Sequence, residues 1–278
     1  MGITISTLEF TEEIKNKLQQ GMNRRYIFAE EENSEYTLFK IDFDQSTRTD
    51  TLKYLAGIIA DVVIDKLEKR FINRIIAHKY NQFLPEERNK IKSLTFDQLD
   101  GGNELNGGLG KLVRKEGVIE HILNYLNKYQ DLNLEGFVRF RLKDYLDDLK
   151  YAVERAVDEY IIEKEYNEFI DLLKYFVELQ EPRIELVHVI KQENGSFEIM
   201  DKSGNRISNE YLEGYLSEMF EEQVEYEDLL ISALINVAPL RIILHLSAED
   251  TISTVKKIFG NRVELCLGCE ICEKREKE

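Results

Sequence analysis

No cysteine lies outside the seven-residue span Cys266 to Cys272, so no disulfide can bridge distant parts of the fold. Three clustered thiols fit a reducing compartment better than a disulfide framework. Nor does any stretch approach the ~20 apolar residues that a membrane-spanning helix needs. Even the most apolar run, Leu55 to Leu67, is interrupted by Asp61 and Asp65. The start, Met1-Gly2-Ile3-Thr4-Ile5, has no basic segment followed by an apolar one, which argues against a signal peptide. Basic residues are also short, 37 against 53 acidic, and the net charge of -16 would repel phosphate backbones. These absences predict a cytoplasmic protein with no membrane span and no nucleic-acid partner.

What is present is enough for a core: 43% of the 278 residues are hydrophobic and their spacing is periodic. The patterning predicts an α+β chain that is predominantly α-helical. Residues 1–45 read as a small N-terminal α/β element, with strands at Ile3 to Phe10, Tyr26 to Phe28 and Tyr36 to Phe43 and a helix from Thr11. Residues 46–181 read as a helical region. In it, Leu52, Leu55, Ile59, Val62, Val63, Leu67, Phe71, Ile75 and His78 recur at helical spacing, capped by Asp50 or Thr51, until Pro85. A glycine-rich stretch follows, then a helix around Val113 to Leu126.

The longest helical stretch runs from about Leu134 to Leu179. Leu142, Leu146, Leu149, Val153, Ala156 and Tyr160 form a seam that a partner helix would fill, which suggests self-association. That register fails at Glu163 and Asn167, and a new stripe starts at Phe169, so a bend or short turn is predicted near Glu163 to Glu168, making a helical hairpin or a kinked helix. Residues 182–278 read as a C-terminal α/β region. A hairpin of Ile184 to Ile190 and Ser196 to Met200 turns at Glu193-Asn194-Gly195. Helices at Asn209 to Phe220 and Tyr226 to Val237 lead to a β-α-β unit of Arg241 to Leu246, Ala248 to Phe259 and Val263 to Cys266.

One constellation carries chemical specificity: Cys266-Leu267-Gly268-Cys269-Glu270-Ile271-Cys272. Thiolates two residues apart can converge on one metal from a tight turn, which Gly268 would let close, as in zinc or iron-sulfur sites. A ferredoxin-type run would continue with a fourth cysteine and proline, whereas Glu273-Lys274-Arg275-Glu276 follows. The fourth ligand must then be a histidine, a carboxylate, water or a second chain. His245 ends a strand beside the one feeding Cys266 and is the preferred candidate. His188 shares a strand face with Ile184, Leu186 and Ile190 and reads as a core histidine, and His78 and His121 read as structural. A redox thiol pair and ordinary reduced cysteines stay open as alternatives.

Other motifs fail on inspection. Glu185-Leu186-Val187-His188 has the spacing of a di-iron ligand pair but lies on a strand, where the two side chains face opposite ways. Gly108-Leu109-Gly110-Lys111-Leu112 lacks the glycine and hydroxyl residue of a phosphate loop and reads as a flexible loop. No nucleophile elbow or hydrolytic triad is recognisable, so no catalytic residues are assigned. Glu135 and Asp147 are spaced to pair with Arg139 and Lys143. Between Ile207 and Leu240 there is no lysine or arginine, which predicts a solvated acidic surface.

Several segments together resemble a known family: Leu134-Glu135-Gly136-Phe137-Val138-Arg139-Phe140-Arg141-Leu142-Lys143-Asp144-Tyr145, Asp158-Glu159-Tyr160 through Phe169, Val187-His188-Val189, Glu227 to Leu234, Ala238-Pro239 and Cys266-x-x-Cys269. The chain is similar to the YtxC-like sporulation proteins of endospore-forming Firmicutes, best from about residue 130 onward. The resemblance implies a role in sporulation and supplies no catalytic residues. The resulting expectation is a cytoplasmic sporulation-associated protein that acts by binding a protein partner, with a metal site at the C-terminal cysteines. The alternatives are an iron-sulfur or thiol redox protein using Cys266, Cys269 and Cys272, and a hydrolase or transferase without a recognisable motif.

Overall fold

Strict alternation of apolar and polar residues builds the first strand, β1 (Gly2–Thr7), whose buried side is Ile3, Ile5 and Thr7. A computed structural model of the chain describes residues 2–21, 26–32, 35–101, 109–192, 194–207, 226–246, 249–269 and 272. It is predominantly α-helical with two small mixed sheets. The chain divides into two compact units, Met1–Ile162 and Glu163–Glu278.

In the N-terminal unit, β1 leads into α1 (Thr11–Gly21), β2 (Ile27–Glu32) and β3 (Thr37–Asp42). A fourth strand that the sequence did not reveal, β4 (Asp131–Asn133), joins parallel to β1, giving the order β2-β3-β1-β4. Helix α2 (Arg48–Val62) starts earlier than expected, after a 3₁₀ turn at Gln45–Thr47, with Thr47 at its cap position and neither Asp50 nor Thr51 there. Its apolar face, Leu52, Leu55, Ala56 and Ile59, packs on the sheet residues Ile3, Ile5, Phe39 and Ile41 and on Val118, Ile122 and Leu126. Those last three belong to α5 (Leu109–Leu126).

Between α2 and α3 (Glu68–Lys79) the backbone makes a π turn, Val63–Leu67. A π turn holds one residue more than an α turn, so the helix beyond it is out of register with the helix before it. The expected stripe through Phe71, Ile75 and His78 is therefore corrected: Ile72 and Ile76 are buried, and His78 is exposed. The same displacement places Glu68, only 3% exposed, inside the protein. There the Arg114 guanidinium donates to both Glu68 carboxylate oxygens at 3.2 Å, and the Tyr145 hydroxyl donates to Oε2 at 2.5 Å. Burial, and then the negative charge of Glu68, raises the Tyr145 pKa well above the usual phenol value.

Helix α3 ends at Lys79, before Pro85, which begins another helix that was not expected, α4 (Pro85–Leu99), and occupies its first turn. Glu87 accepts from the Leu84 backbone N–H at 2.7 Å and caps that start. Gly110, in the stretch that resembled a phosphate loop, sits against the end of α4. A Cβ there would lie 2.4 Å from the Leu99 carbonyl oxygen, whereas one on Gly117 of the same helix would meet nothing within 4 Å. Gly110→Ala is expected to cost about 1–3 kcal/mol, and Gly117→Ala to add about 0.5–1 kcal/mol of stability. Urea unfolding of the two variants followed by circular dichroism checks both signs. Residues 102–108 of the glycine-rich stretch lie outside the described residues.

The long helical stretch breaks where no break was expected and continues where one was. Helix α6 (Leu134–Arg141) ends at Leu142, whose φ of -107° and ψ of 37° leave the helical region. Helix α7 (Lys143–Leu179) then runs unbroken through 163–168, so the predicted hairpin is absent. Residues 162–169 are all exposed, which is why the apolar register lapses there without ending the helix. The seam that suggested self-association is filled within the chain: Val153, Ala156 and Val157 pack on Ile72, Ile76 and Ile91. Glu135 turns away from Arg139 and accepts from the Thr7 hydroxyl at 2.7 Å and the Leu8 N–H at 3.0 Å, while Asp147 pairs with Lys150.

The C-terminal unit contains a second sheet in the order β6-β5-β7-β8, formed by β5 (Ile184–Lys191), β6 (Phe197–Asp201), β7 (Pro239–His245) and β8 (Val263–Leu265). β5 and β6 form the expected hairpin, with Gly195 at φ 86° in its turn. β5, β7 and β8 are parallel neighbours, as the β-α-β pattern requires. Helices α8 (Tyr226–Val237) and α9 (Glu249–Phe259) contribute Leu230, Leu234, Val255, Ile258 and Phe259 to one core with Val187, Val189, Ile242 and Leu244. The expected helix at Asn209 to Phe220, and most of the acidic run around it, fall outside the described residues.

Candidate metal centre

Parallel pairing of β7 with β8 brings the site together. Leu244 pairs with Leu265, and the Cys266 N–H donates to the Leu244 carbonyl at 3.0 Å, so the chain leaves β8 directly beside His245, the last residue of β7. From there it reverses at Gly268, whose φ of 126° is one that L side chains rarely adopt. The Gly268 N–H points back to the Cys266 sulfur at 3.3 Å, and the turn returns Cys269 and Cys272 to the same place.

The candidate ligand atoms of His245, Cys266, Cys269 and Cys272 all lie within 4.8 Å of one another. Cys272 Sγ is 3.8 Å from Cys266 Sγ and 3.9 Å from Cys269 Sγ. His245 Nδ1 is 3.0 Å from Cys272 Sγ and 3.9 Å from Cys269 Sγ. A tetrahedral zinc site with Zn–S of about 2.3 Å and Zn–N of about 2.0–2.1 Å has S···S edges of about 3.8 Å and S···N edges of about 3.6 Å. The two sulfur edges match that figure, and the nitrogen edges lie on either side of theirs. The arrangement can thus hold one metal ion such as zinc. Burial first, and then hydrogen bonding and charge from Cys266 and Cys269, push the Cys272 thiol up to about 11. That direction is opposite to the lowered pKa of a reactive thiol.

The three cysteines are the residues that spacing singled out, and His245 the one that strand order did. His188 is buried, as expected of a core histidine, but its position adds a contact that pattern reading missed. Its Nδ1 lies 2.9 Å from His245 Nε2. The signal was available in the strand register: Ile190 pairs with His245 and His188 with Ile243, so the two histidines share one face of adjacent strands. The remaining candidates are elsewhere. His78 and His121 are exposed in the N-terminal unit, Glu185 is exposed and paired with Lys202 at 3.0 Å, and Lys111 donates to Asp65 at 2.8 Å. No helix among the described residues is long and apolar enough to cross a membrane.

The sequence pattern of the YtxC-like family matches residues 53–264. A protein of Bacillus subtilis (strain 168), "Uncharacterized protein YtxC", is 24% identical over 218 residues, covering 77% of this chain and 76% of that one. No solved structure matches. The matched residues begin well before residue 130 and end two residues short of Cys266, so the match does not reach the three cysteines. With residues 53–264 of its 278 matched, the chain belongs to the YtxC-like family.

Proposed function

We propose that this chain is a cytoplasmic sporulation protein that acts by binding another protein, and that one zinc ion held by Cys266, Cys269, Cys272 and His245 clasps its C-terminal segment to the sheet. The convergence of four ligand atoms within 4.8 Å carries the metal reading. All four converge on one point, which suits a single ion; a four-iron cluster takes one ligand on each of its irons and spreads them around a cage. Four protein ligands leave no open coordination position, the mark of a structural and not a catalytic zinc site.

The sporulation reading rests on the family resemblance. Action by contact is supported by α7, where Phe169, Leu172, Phe176 and Leu179 follow one another at three- and four-residue steps and are 50–64% exposed. Elemental analysis of chain purified without chelator is expected to find about one zinc per chain, and almost none in a variant with all three cysteines changed to serine. Cells of the source organism lacking the chain are expected to form fewer heat-resistant spores. Stoichiometric iron with a visible charge-transfer band would replace zinc by an iron centre, and normal sporulation would remove the cellular reading.

A further inference from the structure

We infer that His188 is a positioning residue for this centre: it fixes His245 in the tautomer that presents Nδ1 to the metal. The inference rests on the zinc reading and extends it to a residue outside the ligand set.

His245 Nδ1 faces the sulfurs, at 3.0 Å from Cys272 and 3.9 Å from Cys269, so Nδ1 is the nitrogen whose lone pair a metal would take. A neutral imidazole has one protonated nitrogen, and with Nδ1 committed the proton belongs on Nε2. Nε2 lies 2.9 Å from His188 Nδ1, which must then accept that hydrogen bond and keep its own proton on Nε2. Ligating histidines nearly always anchor their second ring nitrogen in this way, most often on a carboxylate, carbonyl or water. Here an imidazole takes that place. Three thiolates already exceed the charge of a divalent ion by one, so a neutral acceptor orients His245 without adding further negative charge.

The placement is not loose. His188 is 7% exposed, in the middle of β5, between β6 and β7. Val187 and Val189 beside it are fully buried, so the strand that carries the ring is held on its other face by the core. A ring held there keeps His245 Nε2 toward β5 and Nδ1 toward the Cys272 and Cys269 sulfurs.

Two measurements on the full chain test this. The chain has four histidines, so long-range ¹H–¹⁵N correlation of the zinc-loaded, ¹⁵N-histidine-labelled protein resolves each ring. A metal-bound Nδ1 and a protonated Nε2 are expected for His245, and a protonated Nε2 for His188. A metal on His245 Nε2, or a His188 proton on Nδ1, would overturn the inference. Chelator competition then compares variants. His188→Leu is expected to weaken zinc binding about 10- to 100-fold, and His188→Asn, whose Oδ1 takes the place of the ring Nδ1, to recover most of the loss. A zinc affinity unchanged in His188→Leu would overturn the positioning role and leave the metal reading standing, whereas a natural chain that takes up no zinc would overturn both. The spectrum of the natural chain decides the tautomer even if the leucine variant folds poorly.

Discussion

Raising free zinc to 100 times its dissociation constant is expected to stabilise the chain by about 2.7 kcal/mol, and Cys272→Ala to abolish that response. The unfolded chain offers three thiols and a histidine with nothing to hold them together. In the folded chain β7 and β8 place His245 beside Cys266, and the turn at Gly268 supplies the remaining two sulfurs. Metal therefore binds the folded form preferentially, and its binding free energy adds to folding. Cys272 is the informative position, because its sulfur lies within 4 Å of Cys266 Sγ, Cys269 Sγ and His245 Nδ1 alike. Thermal unfolding at graded zinc concentrations, with and without a chelator, reads the effect directly. A midpoint that ignores zinc in the natural chain would remove the metal from the account of this fold.

The second large effect lies in the other unit. Glu68→Ala is expected to destabilise it by about 3 kcal/mol. The Arg114 side chain is 14% exposed and would lose two of its hydrogen bonds, keeping the Leu99 carbonyl and Asp100 at 3.1 Å; the Tyr145 hydroxyl would lose its acceptor. Removing one member of a buried ion pair costs much more than the pair contributes, because the remaining charge is left in a medium that solvates it poorly. Glu68→Gln keeps the shape and one acceptor and is expected to cost about half as much. Denaturant unfolding of the two variants distinguishes lost charge from lost packing. A shift below about 1 kcal/mol for the alanine variant would show that Arg114 finds adequate solvation elsewhere.

The β-α-β unit and the cysteine site were legible because their signals are local. The short apolar run Ile242-Ile243-Leu244 just after Pro239 marks a strand, and the spacing of Cys266, Cys269 and Cys272 marks a turn that gathers sulfur. The parallel neighbour that brings in His245 followed from the tendency of the two strands of a β-α-β unit to lie side by side. What stayed hidden depends on distant partners or on events without a residue signature. The strand Asp131–Asn133 is three residues long and exists by pairing with β1, more than a hundred residues away. Pro85 was read as a stop because it ended one pattern, although proline suits the first turn of a helix equally well. At 163–168 the loss of apolar residues was taken for the loss of helix. Glutamate, lysine and tyrosine are serviceable helix formers, so the segment leaves the core and stays helical.

The π turn at Val63–Leu67 also bears on how chains of this family are to be compared. One residue more than an α-helix requires is taken up within a single turn, and Glu68, Ile72 and Ile76 stand where Leu67, Phe71 and Ile75 would stand in an unbroken helix. In genetic terms the turn is an insertion that the fold has absorbed. A homologue one codon shorter at this place would keep the same ion pair and the same apolar contacts with a plain α-helix, and an alignment that denied it a gap there would mispair every residue of α3.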